Sequence, residues 1–304
     1  HKTPVARSGG IAIFILTILF FVLYFVKFDI FLIDYFLVTS LLFFLGFLDD
    51  LKVKISPNIR LVIMLIILAF CINIFSIQIT KSGLEFLDSW LENNIFQLCF
   101  VLLCFLFIIN GANLIDGYNG LLAIHFLIIN FILLGINLVN QNFQIATILT
   151  TQIIIIFSFL LFNFPKAKIF LGDAGSYICG SLLAINIIKT HQLNSEITPF
   201  FYSSILFYLF FEVFFSFIRK SVKKKSPLNP DSLHLHMLLY NYLLNSKKLI
   251  KSNYKTSIII NTVYLILILP TIFFQENGLI SRYYFFLLIF FYSFCYYFLY
   301  KLKK

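Results

Sequence analysis

The stretch 121-LLAIHFLIINFILLGINLV-139 decides the fold class. It holds no Asp, Glu, Lys or Arg. It runs for the roughly 17–25 residues that a helix needs to cross a bilayer. Ile59–Ile79 reads the same way, apart from Arg60 at its start. Over all 304 residues, 61% are apolar and 12% are charged. Soluble domains carry about 25% charge, and so few charges could not cover the surface of a soluble fold of this size. The pattern predicts an all-α polytopic membrane protein with ten spans, at about 10–26, 31–48, 59–79, 95–109, 121–139, 145–162, 177–190, 199–218, 256–274 and 281–300. No polar stretch is long enough for a separate soluble domain, so residues 1–304 read as one integral membrane domain. The longest segment outside the spans is 219–255. Cys71, Cys99, Cys104, Cys179 and Cys295 all lie in apolar runs without a Cys-x-x-Cys pair and read as small helix residues.

Ten spans put both ends on one side. Of the 23 Lys and Arg, only Lys27, Lys81, Lys189 and Arg282 then fall on the other side. This bias assigns the side of His1 to the cytoplasm. The net charge of +10 is thereby explained by basic loops facing anionic lipid headgroups, and no nucleic-acid partner is implied.

The acids are distributed the other way. Asp29, Asp34, Glu85, Asp88, Glu92, Glu196 and Glu276 fall on the outer side. Asp49, Asp50, Asp116, Asp173 and Asp231 fall at cytoplasmic helix ends or loops, and Glu212 lies inside a span. An ionisable group at membrane depth is costly and usually serves a site. Asp49 and Asp50 end a helix in Gly46-Phe-Leu-Asp-Asp-Leu-Lys52, where the helix dipole disfavours acids. Asn110, Asn113 and Asp116 follow one another at steps of three in Asn110-Gly-Ala-Asn-Leu-Ile-Asp-Gly-Tyr-Asn-Gly120, which places them on one helix face. Asp173 lies in Leu171-Gly-Asp-Ala-Gly-Ser176, whose backbone N–H groups are placed to meet phosphate oxygens. Gathered together, these acids would repel one another unless a hard divalent cation neutralised them. A fourth segment, Lys223-Lys-Lys-Ser-Pro-Leu-Asn-Pro-Asp-Ser-Leu-His-Leu-His236, brings His234 and His236 after a basic run. It lacks the partners that zinc needs. The i, i+2 spacing of the histidines predicts a loop. His125 and His191 stand in no motif and read as structural.

In this order, the four segments and His1-Lys-Thr-Pro4 with Arg7-Ser-Gly-Gly10 resemble the polyprenyl-phosphate N-acetylhexosamine-1-phosphate transferase family. That family includes the enzymes that initiate O-antigen and teichoic-acid linkage units and the phospho-MurNAc-pentapeptide translocase. The resemblance covers nearly the whole chain and implies one further helix before His1. It implies transfer of N-acetylhexosamine-1-phosphate from a UDP-sugar to undecaprenyl or another polyprenyl phosphate, with release of UMP, at a bacterial inner membrane. Asp49, Asp50 and Asp116 would be catalytic. Asn110, Asn113, His234 and His236 would bind substrate, and Asp173 would hold Mg²⁺ or Mn²⁺. The chain departs from the family pattern at Val53, Asn119, Ser232 and Met237, and in having Glu212 where Asp is usual. Two other readings are a secondary transporter, whose acids would sit near the bilayer midplane, and a CDP-alcohol phosphotransferase, whose dense Asp pattern on one helix is absent. The sugar, the glycan pathway and the oligomeric state are not legible in the sequence.

Overall fold

The computed structural model describes residues 5–53, 55–224, 226, 231–245 and 252–302. The described residues are helical apart from turns and one isolated parallel bridge between Ala6 and Ile169. The helices are α1 (Gly9–Phe28), α2 (Ile33–Asp50), α3 (Pro57–Ile74), α4 (Glu85–Leu91), α5 (Asn94–Ile115) and α6 (Leu121–Val139). They continue as α7 (Phe143–Asn163), α8 (Gly172–Leu193), α9 (Pro199–Val222), α10 (Leu235–Asn245), α11 (Ser252–Ile268) and α12 (Gly278–Leu302). A 3-10 turn, Leu269–Phe274, extends α11. Local chemistry sets several starts. Ser56 and Thr198 cap α3 and α9 from the residue before a proline, and Asn93 accepts from the N–H groups of Ile95 and Phe96 to cap α5.

Every expected span corresponds to a helix, but among the described residues eight helices are long and apolar enough to cross a membrane on their own composition. The expected count of ten is not matched exactly, since α2 and α8 fall outside these eight. Helix α2 carries Asp34, Asp49 and Asp50. Helix α8 is nearly enclosed, from Gly172 to His191, by α1, α2, α5, α6 and α7. A helix that faces protein instead of lipid has no need of an apolar surface. Helices α4 and α10 were not expected at all.

Helices α2 and α8 run antiparallel in close contact. At one end Asp50 meets the start of α8, and Gly46 lies against Ala174. At the other end Asp34 pairs with Lys189, whose ammonium also stands 5.1 Å from the centre of the Tyr35 ring. Between the ends, the Tyr35 hydroxyl donates to Asn186 Oδ1 at 3.0 Å. Asn186 and Asn130 both donate to Gln152 Oε1, at 2.6 and 3.1 Å. Four helices are thus joined by buried groups that satisfy one another, as an apolar solvent requires.

The contact at Gly46 is too close for a side chain, since an added Cβ would lie 2.7 Å from the backbone N and Cα of Ala174. Gly46→Val should therefore force α2 off α8 and cost about 1–3 kcal/mol. At Gly135 an added Cβ would meet nothing within 4 Å, so Gly135→Ala should be neutral or slightly stabilising. Thermal midpoints of the two variants in detergent, followed by loss of the monodisperse species, check the contrast.

Candidate active site

Asp49, Asp50, Asp116 and Asp173 come together at one end of the helix bundle. Asp50 ends α2 and places its two oxygens on the first turn of α8. Oδ1 accepts from the Asp173 N–H at 3.1 Å and Oδ2 from the Ala174 N–H at 3.0 Å. Gly172 makes this approach feasible. Its φ of +77° favours glycine, and an added Cβ would lie 2.5 Å from Asp50 Oδ2. Of the backbone N–H groups across this turn expected to meet phosphate oxygens, Asp50 takes those of Asp173 and Ala174.

The adjacent Asp49 has a different partner. It forms an ion pair with the Arg60 guanidinium, on the first turn of α3, and that guanidinium also lies 4.0 Å from Asp173 Oδ2. A second cation arrives with the amino-terminal segment. Ala6 accepts from the Phe170 N–H at 2.8 Å, while the Gly9 and Gly10 N–H groups donate to Phe170 O and Leu171 O at 2.9 Å. This short clamp brings Arg7 to 3.8 Å from Asp50 Oδ1. Arg7 was named only within the Arg7–Gly10 motif and Arg60 only as the start of a span, and neither was assigned to the site, although a cation on the first turn of α3 opposes the helix dipole and was a usable signal.

Asn113 joins the cluster from α5. Its amide donates to Asp173 Oδ1 at 3.0 Å and to Ser176 Oγ at 3.2 Å. Asn110, one turn back, does not reach the acids. Its amide donates to Leu106 O at 2.8 Å within its own helix and lies against Met64. Asp116 follows the last residue of α5. Burial, together with the negative charge of Asp173 and Asp50, holds its carboxyl well above the usual carboxylate range. The loop after it is fixed from two sides. Asn119 donates its N–H to Asn253 Oδ1 at 2.9 Å and its side-chain amide to Pro165 O at 3.0 Å, and the Gly120 N–H donates to Asn163 Oδ1 at 2.6 Å.

His234 and His236 form a second cluster, around Glu212. His234 Nδ1 is 2.9 Å from Glu212 Oε2, and the Leu235 N–H donates to Glu212 Oε1 at 3.0 Å. His236 Nδ1 lies 3.4 Å from the Tyr208 hydroxyl. The expected loop is half right in form. His234 precedes α10, whereas His236 lies in the first helical turn, held there by the capping contact with Glu212. Tyr118, two residues beyond Asp116, packs edge-on against the His236 ring at 5.6 Å and so links the two clusters. Of the other motif residues, 1–4, 225 and 227–230 lie outside the described residues. His125 is buried and bonded to Asn261 Oδ1 at 3.2 Å.

Among the described residues, no group of three or more His, Cys, Asp or Glu is arranged as a ready-made metal cage. Mg²⁺ seldom uses one, since it binds through one or two carboxylates, waters and substrate phosphates. The donor set suits that mode. It consists of carboxylate oxygens whose mutual repulsion a divalent cation would offset.

The two adjacent acids should therefore separate by experiment. Asp50→Asn leaves only one acceptor for two N–H groups and should cost about 1–2 kcal/mol at the start of α8. Asp49→Asn leaves that turn capped and should hold its thermal midpoint nearer the parent's. Melting of the two purified variants side by side measures the difference.

The comparisons with known proteins agree with this geometry. The model described as glycosyl transferase family 4 matches residues 32–191, a span running from the start of α2 to the end of α8. The chain is 30% identical over 236 residues to the undecaprenyl-phosphate alpha-N-acetylglucosaminyl 1-phosphate transferase of Thermotoga maritima, covering 78% of this chain and 68% of that one. It is 29% identical over 215 residues to a probable undecaprenyl-phosphate N-acetylglucosaminyl 1-phosphate transferase of Bacillus subtilis, covering 67% and 56%. It is also 33% identical over 156 residues to a phospho-N-acetylmuramoyl-pentapeptide-transferase of Streptococcus pyogenes, covering 49% and 46%. This multi-pass membrane chain, with its acids gathered where α2, α5 and α8 meet, belongs to glycosyl transferase family 4.

Proposed function

We propose that the chain transfers N-acetylhexosamine-1-phosphate from a UDP-sugar to a polyprenyl phosphate, releasing UMP, as the first step of a cell-surface glycan. The observation that carries the proposal is the convergence of Asp49, Asp50, Asp116 and Asp173, with Arg60 and Arg7, at one end of the bundle. A phosphoryl transfer needs alignment and charge compensation more than covalent chemistry. An acceptor phosphate monoester has a second pKa near ~6 and is mostly dianionic at neutral pH, so no strong general base is required.

In this reading Asp173 holds Mg²⁺, with Mn²⁺ as a substitute, assisted by its neighbours in the cleft. When bound, the cation neutralises charge on the donor pyrophosphate. Asn113 fixes the orientation of Asp173 through its amide. Asp50 holds the start of α8, and therefore Asp173, against α2. Arg60 spans Asp49 and Asp173 and can turn toward an incoming phosphate oxygen. Asp49 orients the attacking phosphate. His234 and His236 serve the nucleotide side. The excess of Lys and Arg in the loops on the side of His1 supports a site at the cytoplasmic face of a bacterial inner membrane.

A transporter fits less well. Its coordinating groups belong near the midplane, but Asn130 and Gln152, halfway along α6 and α7, are already bonded to each other.

Membranes containing the chain, polyprenyl phosphate and Mg²⁺ should release UMP from one or more UDP-N-acetylhexosamines, and EDTA should stop the release. Asp173→Asn should lower turnover on the order of a hundredfold or more while the protein stays folded. Near-normal turnover of that variant at low Mg²⁺ would remove Asp173 from the metal site. No release with any UDP-sugar, acceptor present, would defeat the transferase reading.

A further inference from the structure

Glu212 stands on α9 within the membrane-spanning part of the chain and is 1% exposed. A carboxylate so placed is tolerated only where its oxygens are satisfied. Both are. Oε2 takes His234 Nδ1 at 2.9 Å and Oε1 takes the Leu235 N–H at 3.0 Å. His234 and Leu235 are the residues with which α10 begins, so this one side chain fixes the start of that helix to α9.

A second pair reinforces the attachment. Arg219, two turns along α9 from Glu212, holds Asp231 Oδ2 at 2.9 Å, and Asp231 Oδ1 accepts from the Leu233 N–H at 3.1 Å. Helix α9 thus presents an anion and a cation, seven residues apart, to a segment presenting a donor and an anion three residues apart. The charges match in only one register.

The attachment also orients the rings. Because a carboxylate can only accept, Nδ1 of His234 must carry a hydrogen, while Nε2 on the far side of the ring lies 3.5 Å from Asp231 Oδ1. The His234 and His236 rings lie nearly parallel, at 5° and 5.6 Å. His236 Nε2 is buried without a hydrogen-bond partner, and Tyr118, from the loop after Asp116, abuts its ring. Moving the start of α10 would therefore displace both imidazoles and press on the acidic cleft.

The geometry points to Glu212 as a positioning residue for the transfer reaction, setting the tautomer of His234 and the placement of the His234–His236 turn relative to the acids. The inference rests on the transferase reading above and deepens it. Glutamine is the informative replacement, because its single carbonyl can serve only one of the two donors and its NH₂ would face the other. Aspartate keeps two acceptors on a shorter arm.

The test uses the full chain in lipid nanodiscs. Glu212→Gln should lower kcat, raise the donor KM, or both, by roughly tenfold to a hundredfold, the range for carboxylates that orient a functional histidine. Glu212→Asp should recover a clear part of that loss. A purely structural role would reduce the yield of folded protein but leave kcat and KM per folded molecule unchanged. The spectroscopic arm is independent of activity and of how the Glu212 variants fold. In the parent protein, ¹⁵N NMR with His234→Asn for assignment should find Nδ1 of His234 protonated. An unprotonated Nδ1 in the parent overturns the proposal. So does Glu212→Gln with parental kcat and KM, or Glu212→Asp faring no better than glutamine. If the parent transfers no sugar phosphate, the transferase reading fails, and the NMR result still decides what Glu212 holds.

Discussion

The contact between the end of α2 and the start of α8 governs the rest of the molecule. Two carboxylates at a helix C-terminus face the negative end of their own dipole. Here that cost is offset because the N-terminus of an antiparallel neighbour meets them. Asp50 gives both oxygens to the first free N–H groups of α8, and Gly46 and Gly172 remove the side chains that would hold the helices apart. Once that end is fixed, the axial register of the pair is fixed too. Asp34 then falls beside Lys189, and Tyr35 falls beside Asn186. The same contact sets Asp173 at the mouth of the cleft, where Asn113 and Arg60 reach it from α5 and α3.

The bilayer makes much of the fold legible, because it imposes long apolar runs on any helix exposed to lipid. Where a helix is wrapped by protein that constraint lapses, and the reading weakens. Residues 177–190 read as a span, yet α8 begins at Gly172 and takes the Gly-Asp-Ala-Gly motif into its first turn. Its serines, glycines and Asn186 are permissible only because its neighbours enclose it. The short helices α4 and α10 lie outside the hydrocarbon pattern, and nothing in their periodicity separates them from loops.

The site was legible as a set of acids at helix ends on one side of the membrane. The division of tasks among them was not. Asp49 and Asp50 are indistinguishable as neighbours in sequence, but one faces Arg60 and the other faces a backbone turn more than a hundred residues away. Asn110 and Asn113 share a helix face by spacing, yet only Asn113 lies far enough along α5 to touch Asp173. Such differences depend on where helix ends stop in space, and single-chain periodicity carries no record of that.

A contrast between the interior and the end of the bundle explains why chemistry belongs at the end. Inside, Asn130, Gln152, Asn186 and Tyr35 exhaust their hydrogen-bonding capacity on one another, so they hold helices together and offer little to a ligand. At the end, four carboxylates share two arginines, and burial beside the other anions raises the Asp116 carboxyl. With Asp116 held toward its neutral form, three carboxylates still face two arginines, so the cleft keeps a net negative charge. A pyrophosphate, itself anionic, could not enter it alone. In the transferase reading proposed above, a divalent cation arriving with the pyrophosphate would offset the repulsion between the two sets of negative charge.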